Sequence, residues 1–315
     1  MATEFLLTED DASNIAVFCR IAKANGASLS LGEVIQLASL DVSEEELERA
    51  WLLDSNLSSD YEIDEQIIYE RECEHRSEVS VEQNDRRRRA DSNISYARKF
   101  VSGLHTKDAL VVSISGSTSY QSVSRSDDLD FFCITKRDTM WLFLCKALIR
   151  ARLFRLKDKN SPWLCLSYVM DEKYATTEFT TPQDGLFARD AISTIVVQGE
   201  DNYTSLLRRC GWIEQYFQKM YRLRTVGQEN CEDRREITSS NFLSRALNSV
   251  LYLSAGSYIR FKSYLLNRRF ARKKENSRIF NLRIGPDHCI FESRSYLELR
   301  EMYSRLEKVE RSDQL

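Results

Sequence analysis

Asp128 and Asp130 stand two residues apart at the start of the apolar run "FFCIT", and ten residues (118–127) separate them from a Gly116-Ser117 pair that follows the apolar run "ALVVSIS". Side chains at i and i+2 of a strand leave on the same face, so the two carboxylates emerge close together. Such a pair repels itself and raises its own pKa unless a cation lies between the charges. Oxygen-only ligands call for a hard ion, and Mg²⁺ is commonly held by one or two carboxylates together with phosphates and waters. The glycine supplies the other half of this chemistry. At a turn from strand to helix it lets the backbone approach closely, where free N–H groups and a serine hydroxyl suit phosphate oxygens. A nucleoside triphosphate fits between such a turn and a metal held by the aspartates.

The segments around these residues must form a small sheet. "DALVVSIS" reads as a buried strand, "GSTSYQSV" as a turn and short helix, and "DLDFFCIT" as a second strand. "TMWLFLCKALIRARLFRL" follows as an amphipathic helix and "PWLCLSYVM" as a third strand. Beyond it "PQDGLFARDAISTIVV", "YTSLLRRCGWIEQYFQKMYRL", "NFLSRALNSVLYLSAGSYIRFKSYLL" and "YLELREMYSRLEKV" all read as helices. With 3 prolines, 10 glycines and 30% charged residues, the composition favours helices joined by short polar turns and excludes an all-β sandwich. The expected class is α+β, with a small mixed β-sheet core at 106–175 and a helical C-terminal region at 176–315.

Upstream, "ASNIAVFCRIAKAN" is a helix stopped by Gly26. Ser30 with Glu33 and Ser43 with Glu46 are capping boxes for two more, and "SSDYEIDEQIIYERE" alternates as a strand or hairpin does. That order, over 1–72, is the order of a winged helix. Its second motif helix carries Glu44, Glu45, Glu46 and Glu48 against Arg49, so a duplex would repel it and a protein contact or structural role is expected. Residues 73–105 form a polar linker helix, in which Arg86 to Arg89 read as a solvated face. Residues 1–70 hold 16 Asp/Glu against 3 Lys/Arg, so the basic charge is concentrated in the rest of the chain.

In residues and spacing, "ISGS", ten residues, then Asp128-Leu129-Asp130 resembles the nucleotidyltransferases related to DNA polymerase beta. The resemblance implies that Asp128 and Asp130 bind Mg²⁺ (or Mn²⁺) and carry catalysis, and that Gly116 and Ser117 bind the nucleotide phosphates of an NTP such as ATP. It also implies that a hydroxyl acceptor takes the nucleoside monophosphate. The wider layout is similar to that of prokaryotic nucleotidyltransferase-domain proteins with an N-terminal winged-helix-like module. Many relatives carry a third carboxylate on a following strand. Here Ser167 is the polar residue of that strand, and Asp171, Glu178 and Asp184 are the nearest acids. A non-catalytic nucleotide- or nucleic-acid-binding regulator on the same fold is the alternative.

The acceptor, an RNA or other nucleic acid or a protein, has one candidate contact: Arg268, Arg269, Arg272, Lys273 and Lys274, with Phe270 and Phe280 interleaved. Eight cysteines without a CxxC pair suit free thiols in the cytoplasm, and three scattered histidines give no zinc site. No export signal is expected and no membrane partner, since the most apolar helical stretch, 246–259, is too short to span a bilayer and reads as a buried helix.

Overall fold

The computed structural model describes residues 5–71, 76–104, 107–225, 242–275 and 278–305. Cys73, Cys231, His75 and His105 lie outside them; the other six cysteines are free thiols.

The N-terminal module begins with α1 (Glu9–Ala24), which ends at Asn25 with Gly26 in the left-handed region at φ 62°. β1 (Leu29–Ser30), α2 (Leu31–Leu37) and α3 (Glu44–Leu53) follow. Both capping boxes close: Ser30 and Ser43 accept from the backbone N–H of Glu33 and Glu46, whose carboxylates accept in return. Asp54 caps a further short helix, α4 (Ser55–Asp60), by accepting from the N–H groups of Asn56 and Leu57. β2 (Tyr61–Asp64) and β3 (Ile67–Glu70) form a hairpin, and β1 joins it in an antiparallel sheet of order β1-β3-β2.

The long polar helix is α5 (Arg76–Ser102). Its arginine run departs from the solvated face expected. Arg86 donates to the carbonyl of Asn25 at 2.8 Å, and Arg89 donates to the carbonyl of Val123 at 2.8 Å and to Glu82 at 2.6 Å. Arg86 and Arg89 thus join the N-terminal module and the loop behind the Gly-Ser turn to α5, while Arg88 stays exposed.

The second sheet contains β4 (Ala109–Ile114), then the single-turn helix α6 (Gly116–Ser119), β5 (Leu129–Thr135), α7 (Met140–Lys157) and β6 (Leu164–Asp171). The chain continues through α8 (Glu172–Thr180), α9 (Gly185–Ser193), β7 (Ile195–Gln198), α10 (Glu200–Arg208) and α11 (Gln218–Thr225). Next come α12 (Phe242–Leu251) and α13 (Ser257–Arg272), joined through a π turn, then β8 (Phe280–Ile284), β9 (His288–Ser293) and α14 (Arg294–Tyr303). Among the described residues the sheet has six strands in the order β7-β4-β5-β6-β9-β8; β5 and β6 run parallel and every other pair antiparallel.

Three expectations need correction. Region 176–315 is not simply helical, because three of the six strands come from it. Within "PQDGLFARDAISTIVV" the helix ends at Ser193 and the β-branched run Ile195–Gln198 pairs with β4 as an edge strand. The stretch 246–259 is helical but not buried: Leu247, Val250, Leu253 and Tyr258 are exposed. Among the described residues, no helix is long and apolar enough to cross a membrane.

Alternation on β5 separates two cores. Phe131 and Cys133 pack with Phe100 of α5 and with Trp141 and Phe143 of α7. Phe132 and Ile134 pack on the opposite face with Phe179, Leu186 and Tyr203, in a cluster that continues into Ile15, Phe18 and Leu31 of the N-terminal module.

Candidate functional site

The second core is incomplete at the N-terminal end of β5, where a cleft of ≈ 1150 Å³ opens between the sheet and the N-terminal module. Gly116, Ser117, Asp128 and Asp130 all line it. Their convergence follows from register. Ser115, at the end of β4, donates its N–H to the carbonyl of Asp130 at 3.1 Å, and this bond fixes the turn beside the aspartate. Gly116 has φ 65°, and a Cβ there would stand 3.1 Å from Oδ2 of Asp130, so the position asks for glycine on both counts. Helix α5 holds the turn from behind, where Asn93 donates to the hydroxyl of Thr118 at 3.1 Å.

Asp130 lies within β5, opposite Cys165 of β6, while Asp128 stands one residue before the strand and is exposed. Burial, then the charge of Asp128, pushes the Asp130 carboxyl up to about 7, against weak donation from the Cys165 thiol and the Ser167 hydroxyl. Asp128 is also raised, by desolvation and then by Asp127. Asp127 itself closes the preceding loop by accepting from the N–H of Ser124 at 2.9 Å. Neither Asp128 nor Asp130 has an ion-pair partner among the described residues.

The three acids expected near Ser167 are all engaged elsewhere. Thr135 pairs with Asp171 where Asp130 pairs with Cys165, so Asp171 lies six residues along β6, roughly 20 Å away. It caps α8 by accepting from the N–H of Tyr174. Glu178 is 2.8 Å from Arg283, and Asp184 caps α9 and pairs with Arg300. Cys165 and Ser167 therefore occupy the strand next to Asp130 with no carboxylate between them. Ser167 was legible from the sequence, and Cys165 follows by the same alternation, two residues earlier.

The far wall of the cleft is new. Tyr120, one turn beyond Gly116, donates its hydroxyl to Asp190 of α9, and the guanidinium of Arg189 stacks 4.8 Å from the Tyr120 ring centroid. The Nε–H of Arg189 is buried without a hydrogen-bond partner among the described residues. Burial raises Asp190 to about 6, although the Tyr120 and Tyr296 hydroxyls and Arg189 oppose the shift. The signal was a charged Arg-Asp pair inside an otherwise apolar helix, "GLFARDAIS".

The basic segment is not brought to the aspartates. Arg268, Arg269, Arg272, Lys273 and Lys274 are exposed at the end of α13 and none lines the cleft; Phe270, Arg278 and Phe280, interleaved with them in sequence, do. Among the described residues no group of three or more His, Cys, Asp or Glu side chains is disposed as a metal site. No family model, no curated protein and no solved structure matches the chain.

Proposed function

We propose that the cleft binds a nucleoside triphosphate with a divalent cation, and that the chain is a nucleotidyltransferase moving a nucleoside monophosphate to a hydroxyl of an RNA, another nucleic acid or a protein. The observation that carries this reading is the convergence of Gly116 with two carboxylates that lack an ion-pair partner among the described residues. A partly desolvated acid with no counter-charge among the described residues is costly, and the donors beside Asp130 are a thiol and a hydroxyl, too weak to replace one. The pair therefore fits Mg²⁺ or Mn²⁺, held by Asp128 and Asp130. When bound, the ion would screen the triphosphate and stabilise negative charge on phosphoryl oxygens.

The rest belongs to the chain's own groups. The Gly116-Ser117 turn lines the cleft and carries no Cβ at Gly116, so phosphate oxygens bridged by the cation to Asp130 could approach its backbone. Arg189, stacked on Tyr120 and with an unused donor, offers a planar cation to the same phosphates. The N-terminal module, with its winged-helix order of helices and strands, closes the cleft through Phe18, Glu33 and Leu37. Its acidic α3 does not line the cleft and is unsuited to contact with a duplex.

A second reading, nucleotide binding without turnover, is favoured by one observation: Cys165 and Ser167 stand where relatives of the family resembled place a third acid. Incubation with α-labelled NTPs, Mg²⁺ and candidate acceptors separates the two. Label transfer that disappears in Asp128→Asn and Asp130→Asn supports the transferase. Saturable NTP binding lost in the same variants, with no transfer by the parent, supports the binder. Wild-type protein that binds no NTP with Mg²⁺ or Mn²⁺ overturns both.

A further inference from the structure

Helices α12 and α13 with their π turn run from Phe242 to Arg272 and leave a row of large apolar side chains on the outside of the molecule. Leu243, Leu247, Val250, Tyr258, Phe261 and Leu265 are between 46% and 81% exposed. Their spacing keeps them on one face of the continuous helix, opposite the buried Asn248, Gly256 and Ser263. A row of this length exceeds the scattered apolar residues of an ordinary monomer surface and calls for a partner.

The row is symmetric about Ser254. Leu243 and Leu265 are equidistant from it in sequence, as are Leu247 and Phe261, and Val250 and Tyr258. Ser254 and Ser257 are small and exposed, so two backbones can come close where they cross. From this geometry we infer that the helix is the seam of a homodimer. A second copy lies antiparallel across it on a twofold axis at Ser254, with each apolar side chain facing its symmetric counterpart. An isologous contact needs this self-complementarity. At roughly 100 Å² for each apolar side chain covered, two copies bury on the order of 1,200 Å² from this row alone, the range of a stable interface.

Charge is compatible with the same occupant. Between Leu243 and Leu265 there are three cations, Arg245, Arg260 and Lys262, and no acid. Arg245 is 3.3 Å from Asp138, and Arg260 donates to the Tyr252 hydroxyl and the Ile284 carbonyl. Lys262 is thus the one cation of the seam without such a contact among the described residues. The cluster Arg268 to Lys274 falls beyond the apolar row. An anionic bilayer or a nucleic acid would be recognised by that cluster, but neither explains symmetry about Ser254, and aliphatic Leu243, Leu247 and Val250 gain nothing from phosphate.

The test is sedimentation or light scattering of the full chain at tens of micromolar, with Leu247→Glu and Phe261→Glu compared with the parent. The parent is expected at twice 36.7 kDa and each variant to shift at least tenfold toward monomer, with thermal melts unchanged because both sites are exposed. Ser254→Cys is expected to cross-link to itself with a short bis-maleimide, well above the parent and above Ser249→Cys on the same helix. A monomeric parent overturns the inference, whether or not it binds vesicles of phosphatidylglycerol or an oligonucleotide. So does a dimer that both glutamates leave intact, or one in which Ser254→Cys does not cross-link. None of these outcomes depends on whether the cleft takes a nucleotide.

Discussion

Two sets of acids around the larger sheet differ in how their charge is met. Around β8 and the start of α9, Glu178 and Glu292 share Arg283, and Asp184 takes Arg300 together with two backbone N–H groups. At the start of β5, Asp130 is half-buried with a thiol and a hydroxyl for company, and neither it nor Asp128 has an ion-pair partner among the described residues. The first set holds the fold together. The second leaves an unmet charge beside a cleft, and the proposed binding of a cation and triphosphate rests on that contrast.

The comparison can be broken first at Arg283. Arg283→Met strands Glu178 and the buried Glu292, and unfolding free energy in urea is expected to fall by about 4 kcal/mol. If it falls by less than ~1 kcal/mol, those acids are no better answered than Asp130. Asp130→Asn should do the reverse. Mg²⁺-dependent binding of a fluorescent NTP drops about 100-fold, near 2.7 kcal/mol, while the melting temperature stays level or rises because a buried charge has been removed. Arg189→Leu sharpens the reading of the far wall, with NTP affinity reduced about tenfold.

The smallest effect concerns Asp190, which faces the Tyr120 and Tyr296 hydroxyls, Arg189 and Asp184. Its folded pKa, about 6, lies above the unfolded value near 3.8. Its contribution is therefore fully present below pH 4 and lost as pH rises through 6. Because Asp190 keeps partial access to the cleft, the loss should be about 1 kcal/mol, less than complete burial would give. Urea titrations between pH 4 and 7 should show this slope, and Asp190→Asn should flatten it.

Much of this was legible in sequence where the cause is local. The capping boxes at Ser30 and Ser43, the stop at Gly26 and the order of β4, α7 and β6 depend on neighbours a few residues apart. So does the pairing of Gly116 with Asp130, since the turn and the strand adjoin. What escaped depends on distant partners. Nothing local tells that Ile195–Gln198 will pair with β4, or that 280–293 folds back onto β6 as a hairpin. The apolar stretch 246–259 was mistaken for core because hydrophobicity alone does not say which side of a helix is covered. Arg86 and Arg89 looked solvated because their acceptors, Asn25 and Val123, lie 61 and 34 residues away.

The strand order also bears on how the chain is made. β4, β5 and β6 emerge together, but β4 waits for residues 195–198 and β6 for residues 288–293 before its open side is paired. During synthesis both flanks of the three-stranded intermediate present bare backbone donors and acceptors, the condition under which nascent chains join one another. Translation halted between residues 175 and 285 should therefore leave a product that needs chaperone shielding, and one released from the ribosome at that stage should precipitate.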